Sequence, residues 1–547
     1  VPALLALALW AVPARAILDV EDKGPVLDAG NFRMRVTNAG ILGNAFYNVG
    51  RSSDPSFEYP AYSGIELLNH ADLWVGGIDV DGVSYVSGGP MLEWRPTLDP
   101  ADTVRIARRN QTGRLRGVDD DGDGKIDEEI LNGKDDDGDG EVDEDLGLFS
   151  DQVAAADYVD DRPEAISYGY STGETHHALG LSVHQEAYAW STPGYDGIAG
   201  LHFHITNHGT RTLRSVYVGL SADLDSRRRE DRSGHRNDLV DYRDYSASKF
   251  EGFSRVLYQG TVPCGSRPCP PPPRQCYSTL AGNVPVVWDG LPGSTLPAIT
   301  LMPLEHTLDP LGRFFPDLAH APLQSSFRTS VFDAEGIPGG GGVPVLDVDR
   351  YLALEGRYPN ANSSRPGDWV VVLSCGPFLS VEPGQSIDFD AALVAAPTAD
   401  SLSAIMARTA LMHHGVRKDL IPNETAHPES AEYTVRLTGV TGHEVCLEPP
   451  PGRDLFYDPD CSHKMSAGEN IVVDQPIHYP HGQCIWTDAD CDFCTGLNGK
   501  ETDVRWLEPG EVLPGPDLKL IPGDGQVVVE WNNLPEVLLK SGAVGGT

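Results

Sequence analysis

Between Asp119 and Asp145 the chain places fifteen carboxylates and two lysines in 27 residues. No helix, strand or apolar core absorbs that much like charge; at neutral pH it is either left solvated or cancelled by a counter-ion. The full chain has 547 residues and a net charge of −39, and removing this run (fifteen acids less two lysines, −13) still leaves −26. A surface of that sign repels nucleic acid and anionic lipid headgroups, which argues against nucleic-acid binding.

The run is a repeat with a 16-residue offset: Asp119, Asp121, Asp123, Gly124 and Asp127 recur as Asp135, Asp137, Asp139, Gly140 and Asp143. The pattern D-x-D-x-D-G suits a hard cation that takes six to eight oxygens. Carboxylates at loop positions 1, 3 and 5 converge, glycine at 6 permits the turn, and the carbonyl at 7 faces inward. The candidate ligands are therefore Asp119, Asp121, Asp123, the Lys125 carbonyl and Asp127, then Asp135, Asp137, Asp139, the Glu141 carbonyl and Asp143, with Ca2+ as the cofactor. Position 8 is apolar in both units, Ile126 and Val142, and is expected to anchor each loop.

These residues resemble the calcium loops of EF-hands, dockerins and thrombospondin type 3 repeats. One departure matters: position 12, where an EF-hand supplies a bidentate Glu, holds Ile130 and Leu146. The acids come early instead, as Glu128 and Glu129 or Glu144 and Asp145, and no helices flank the loops. The resemblance thus implies a thrombospondin-like or free-standing calcium repeat, with a Kd on the order of 10⁻⁴ to 10⁻³ M. The plainer alternative is a solvated acidic linker, which need not set glycine and an apolar residue in register twice.

The first residues, VPALLALALWAVPARA, read as the apolar region and Ala14-Arg15-Ala16 cleavage site of a secretory signal peptide, without its basic start. Export to a secreted, extracellular or cell-surface location follows, and no later segment reads as a transmembrane helix. Export makes the nine cysteines candidates for disulfides: Cys264, Cys269 and Cys276, then Cys375 alone, then Cys446, Cys461, Cys484, Cys491 and Cys494. Cys491-x-x-Cys494 near His463, His478 and His481 also admits zinc.

Elsewhere the pattern is strand and turn, encouraged by 59 glycines and 43 prolines. In NFRMRVTNAG, Phe32, Met34 and Val36 alternate with polar residues, and Asp81-Gly82 marks a hairpin. Long strands are expected over 181–190, 197–206 and 213–222, and a further pair turns at Pro383-Gly384. One helix is expected near 400–415, capped by Asp400, with Leu402, Ile405, Met406 and Thr409 on one face and Gly415 at its end. The segment GIPGGGGVP (336–344) reads as a mobile loop.

Weaker constellations carry alternatives. GYSTG at 169–173 matches G-x-S-x-G but lacks the strand–turn–helix context of a nucleophile elbow. His202 and His204 fall on one side of a strand and could share a metal with Glu174 or His184, or simply form a polar row. Asp223 and Asp225 close a strand before a polar loop that returns at Asp238, which fits a second calcium site or ordinary salt bridges. Asp488, Asp490 and Asp492 have the 1, 3, 5 spacing without the glycine.

The terminal PDLKLIPGDGQVVVEWNNLPE resembles the opening strands of a fibronectin type III domain, with Val527 and Val529 alternating ahead of Trp531. About 30 residues of a module of roughly 100 are present, so the chain is expected to continue. The reading is all-β and multidomain, with immunoglobulin-like sandwiches and few helices. Its parts are a signal peptide (1–16), an N-terminal β-rich region (17–117), tandem calcium repeats (118–146), a central sandwich region (147–425), a small Cys-containing β module (426–512) and the fibronectin start (516–547). Strands on either side of the acidic insert are expected to share one sandwich.

The combination resembles large modular surface proteins of bacteria. That resemblance implies a non-enzymatic surface, matrix or adhesion protein, whose partners are calcium and an extracellular protein, a glycan or another copy of itself. The competing expectation is a secreted carbohydrate-active hydrolase or lyase with structural calcium and a cleft lined by Glu174, His202, His204 and Asp223.

Overall fold

The computed structural model describes residues 26–43, 55–88, 93–96, 103–109, 111, 129–135, 138–144, 146, 148–163, 174–231, 233–246, 256–257, 276–278, 281–307, 327–333, 342–358, 365–414, 416–419, 444–446, 501–504, 506, 518–523 and 526–531. Outside them lie the proposed leader, the expected ligand positions 119–127 of the first acidic unit, Asp137, GYSTG, most of the glycine-rich loop, the Cys-x-x-Cys segment with its histidines, and Asp488, Asp490 and Asp492.

Twenty-four strands are described. Those ahead of the acidic run are β1 (Val26–Leu27), β2 (Arg33–Arg35), β3 (Ile41–Gly43), β4 (Phe57–Glu58), β5 (Ile65–Ile78), β6 (Ser84–Gly88) and β7 (Arg105–Arg108). After it come β8 (Gln152–Val159), β9 (Leu181–Ala189), β10 (Ile198–Asn207), β11 (Leu213–Arg228), β12 (Asp238–Ser246), β13 (Val256–Leu257), β14 (Cys276–Ser278), β15 (Ala281–Asp289), β16 (Ala298–His306), β17 (Phe327–Asp333), β18 (Trp369–Val381) and β19 (Ser386–Ala396). Short pairs complete the set: β20 (Val416–Asp419), β21 (Glu444–Cys446), β22 (Glu501–Val504), β23 (Leu518–Gly523) and β24 (Gln526–Trp531). Two helices are described, α1 (Asp347–Leu354) and α2 (Ala399–His414).

Most of the strands form an all-β sandwich of two antiparallel sheets; β13, β14 and β21 make a small third sheet, and β20–β22 and β23–β24 are separate pairs. One sandwich sheet has nine strands, ordered β1-β2-β4-β5-β11-β18-β17 with β3 and β6 also on β5; the other has eight, ordered β12-β15-β16-β19-β10-β9-β8-β7. Alternation decides which residues meet between them. Leu201, Phe203 and Ile205 of β10 and Val218, Leu220, Ala222 and Leu224 of β11 enter the shared core, so the residues between them face outward.

Strands from both sides of the acidic run complete one sandwich. β5 pairs with β11, and β7 pairs directly with β8 through the register Arg105↔Ala155 to Arg108↔Gln152. The acidic repeat is thus an insertion in the connection between two neighbouring antiparallel strands at one edge of the eight-stranded sheet.

Each outer face carries a helix. α2 covers the eight-stranded sheet, burying Leu402, Met406, Ala410 and Met412 with Trp190, Val394 and Trp506. Its cap is Thr398 rather than Asp400: Thr398 Oγ1 accepts the Ser401 amide at 3.1 Å, and Asp400 sits one residue inside the first turn. α1 covers the nine-stranded sheet, packing Tyr351, Ala353 and Leu354 near Trp74, Val86 and Val372. Nothing at its own N-terminus caps it; the Asp347 amide donates to Glu174 Oε2 at 2.9 Å, from 173 residues away.

Cys375 is a buried free thiol in β18, and burial pushes its pKa up to about 12. β14 and β21 set Cys276 opposite Cys446 in backbone register. The terminal pair β23–β24 is an antiparallel hairpin with Leu518 opposite Trp531. No helix among the described residues is long and apolar enough to cross a membrane.

Candidate cation sites

The second acidic unit is folded on its own backbone. Asp135 Oδ1 accepts the Gly138 amide at 2.6 Å and Oδ2 accepts the Gly140 amide at 3.0 Å. Asp139 Oδ1 takes the Glu141 amide at 2.7 Å. Gly140 has φ 104°, a conformation that favours glycine at position 6. Asp143 Oδ1 accepts the amides of Asn132 and Gly133, and the Asp143 amide in turn donates to Glu129 Oε2 at 2.8 Å. An ionised carboxylate offers about four lone-pair directions, so these bonds shape the loop and leave capacity for a cation.

The loop is fastened by residues other than those expected. Val142 is 52% exposed and does not anchor, because its position 8 side chain points outward; Ile126 lies outside the described residues. Leu131, Leu146 and Leu148 are buried instead, in the cluster of Tyr188, Trp190 and Trp506 on the outer face of the eight-stranded sheet. Leu146 stands where an EF-hand would place its bidentate Glu, so the EF-hand ligand is replaced by a hydrophobic anchor.

The histidines form a charge ladder across the same outer face. His204 lies between His184 and Asp388 in register, and His202 lies between Glu186 and Asp390. His184 Nδ1 is 2.9 Å from Asp157 Oδ1, His204 Nδ1 is 2.6 Å from Asp388 Oδ1, and His202 Nδ1 is 2.6 Å from Asp390 Oδ1. From α2, His413 Nε2 reaches Asp390 Oδ2 at 2.8 Å and Glu305 Oε2 at 3.5 Å. Burial alone would neutralise His184, His202 and Asp390, but each is answered by its opposite. The His184 pKa is lowered by burial yet lifted by Asp157 and Glu186 to about 10, and that of His202 is lifted by Asp390 to about 9. Burial likewise raises Asp390, and His202 and His413 reverse this to hold it well below the usual carboxylate range. Glu305, Asp390 and His413 are close enough to share an ion, yet their charges are already matched pair by pair.

At the far end of β11 the balance is different. Asp223 and Asp225 lie within the strand, which runs on to Arg228 rather than closing at Ala222. Both face away from the shared core, and Asp368, just before β18, joins them. Asn69 Nδ2 donates to Asp223 Oδ2 at 2.7 Å, and Arg227 Nε donates to Asp225 Oδ2 at 2.9 Å. These residues and His235 line a cavity of about 270 Å³. Asp238 borders the cluster, accepting the Ser226 amide at 3.0 Å. Burial and the Asp223 charge push the Asp225 pKa up to about 7; burial and Asp225 push Asp238 up to about 10.

The four residues expected to line one catalytic cleft are held apart. Glu174 caps α1, His202 and His204 sit in the ladder, and Asp223 belongs to the other sheet. The cavity at Asp223 is lined by none of the other three. Sequence reasoning missed Asp368, Glu305, Asp390 and His413: the β10–β19 pairing brings Asp390 to His202 from 188 residues away, the β11–β18 pairing brings Asp368 toward Asp225, and α2 folds His413 back onto Asp390 and Glu305; the alternating His-x-His and Asp-x-Asp in β10 and β19 were the one visible signal. No protein-family model matches the chain, and no curated protein matches it in a sequence search.

Proposed function

We propose that this chain is part of an exported, calcium-stabilised structural or adhesion protein of a cell surface or extracellular matrix. Calcium in the acidic repeat stiffens a large sandwich, whose faces then meet an extracellular protein, a glycan or a further copy. The observation that supports this most directly is the way the repeat is seated. It interrupts the β7–β8 connection, its second unit is prefolded around Asp135 and Asp143, and Leu131, Leu146 and Leu148 root it in the outer core. An ion bound there would order a long edge connection and couple its own binding to the stability of the sandwich. The leader-like segment, the fibronectin-like end and the wide, acidic surface fit the same reading.

The test is a thermal melt in EDTA and in about 1 mM calcium, beside a variant with Asp121, Asp123, Asp137 and Asp139 changed to Asn. For a Kd of about 10⁻⁴ M calcium is then about tenfold in excess of Kd and each site adds about 1.4 kcal/mol, so two sites raise the melting temperature by several degrees. The rise should vanish in the variant, and the calcium-loaded protein should bind immobilised matrix proteins or glycans without cleaving them. No calcium shift would leave the repeat a solvated linker; steady release of sugar from a polysaccharide panel would instead establish the hydrolase or lyase.

A further inference from the structure

We propose that Asp223, Asp225 and Asp368 form a second, independent site for a hard divalent cation, Ca2+ first, built into the sandwich at the end of β11. Each of the three offers an oxygen, and these oxygens all lie within 4.8 Å of one another. Carboxylates that converge this closely are held together either by a proton kept on one of them or by a positive charge between them, and a cation supplies the second. The cations already present, Arg227 and His70, meet Asp225 and Asp223 at one carboxylate oxygen each. Arg227 engages Asp225 through Oδ2, and Asn69 and His70 approach Asp223 through Oδ2, His70 Nδ1 at 3.8 Å. Oδ1 of Asp225 and Oδ1 of Asp223 are buried without a hydrogen-bond partner, in side chains whose residues are 2% and 8% exposed. A buried carboxylate oxygen that lacks a donor costs roughly 1–3 kcal/mol or more, so two in one cluster call for a partner from the adjoining cavity, and an ion with its waters supplies one to both.

The chemistry selects the ion. The converging donors are carboxylate oxygens, which suits calcium or magnesium better than metals that favour nitrogen and sulfur. The cavity of about 270 Å³ leaves room for the waters that complete a coordination shell of six to eight. The consequence is mechanical. Leu224 pairs with Trp369, so an ion held by Asp225 and Asp368 joins β11 to the start of β18, while Asn69 links Asp223 back to β5. One ion would thus pin three adjacent strands of the nine-stranded sheet, whereas the acidic repeat lies on the edge of the other sheet.

The experiment is equilibrium dialysis of calcium against the full chain with the repeat silenced by Asp121, Asp123, Asp137 and Asp139 changed to Asn. We expect one calcium to remain bound, and to be lost when Asp223→Asn and Asp225→Asn are added. Asp368→Asn alone, on a different segment just ahead of β18, should weaken it at least tenfold and decides the matter if the double variant does not melt cooperatively in EDTA. A silenced chain that binds no calcium, or that binds it equally well with Asp368→Asn and with the double change, would overturn the site. The reciprocal chain, with the repeat intact and Asp223→Asn and Asp225→Asn present, reports on the repeat separately.

Discussion

Asp390 stands between two imidazoles, His202 Nδ1 at 2.6 Å from Oδ1 and His413 Nε2 at 2.8 Å from Oδ2, and so ties strand β10 and helix α2 to strand β19. His413 is fully buried and Asp390 is 4% exposed, so neither exchanges its partner for water. Removing one member of a buried pair strands the other's charge, at a cost of about 3–5 kcal/mol. Asp390→Asn should therefore lower the urea midpoint by that equivalent with an unchanged m-value. A loss below about 1 kcal/mol would mean that the histidines are neutral and the contact is ordinary.

The same ladder sets a pH dependence. His184 and His202 have folded pKa values of about 10 and about 9, above the ordinary 6.5. Raised histidines contribute stability that is complete below about pH 6.5 and is lost as the pH climbs through 9 and 10. Glu186, depressed to about 2 by His184 and His202 against the opposing effect of burial, acts in the other direction: its contribution is present above about pH 4.5 and is lost toward pH 2. Melts in EDTA between pH 6 and pH 10 should fall steadily, and His184→Gln should flatten that decline. A flat wild-type profile would refute the ladder's charge state.

Trp506 shows what long-range packing hides from sequence. It falls in the stretch read as a separate Cys-containing module, yet it is 3% exposed in the outer core, stacked on Trp190 at 5.4 Å and edge-on to His413 at 4.8 Å. Gly200 makes room for it: a Cβ there would lie 2.9 Å from the Trp506 ring. Trp506→Ala should cost about 3–5 kcal/mol. Gly200→Ala should reproduce much of that loss, which double-mutant unfolding would read as strong non-additivity.

What the sequence made legible was local. Alternation marked β9 and β10 almost to their ends, and the apolar face of 402–409 marked α2. It could not mark α1, because that helix takes its N-terminal partner from Glu174, which has no neighbouring signature. Nor could it separate His202 as a metal ligand from His202 as an ion-paired rung, since the deciding Asp390 lies 188 residues away. The acidic repeat was legible because its carboxylates recur at close, regular spacing; Asp368 was not, because only the β11–β18 register brings it to Asp225.

Glu174 offers a narrow test of the α1 assignment. Loss of a cap typically costs about 1 kcal/mol, and the helix is only eight residues long. Glu174→Ala should therefore destabilise the fold by about that much while increasing amide exchange over Asp347–Leu354 more than over β10. Uniform exchange across both elements would make Glu174 an ordinary surface acid.

Asp225→Asn should have opposite effects with and without calcium. Above the Asp225 pKa of about 7 both carboxylates are ionised, and at about 4.8 Å two unit charges repel by about 3 kcal/mol for an effective dielectric constant of 20. Replacing one carboxylate with an amide relieves that repulsion, and the loss of the Arg227 ion pair offsets part of the gain. In EDTA the variant should melt at or slightly above the wild type. In millimolar calcium the order should invert, because the wild type gains an ion that the variant binds poorly. A variant less stable than the wild type by the same margin in both buffers would make Asp225 a plain partner of Arg227, and the carboxylates around it a salt-bridge cluster with no ion to hold.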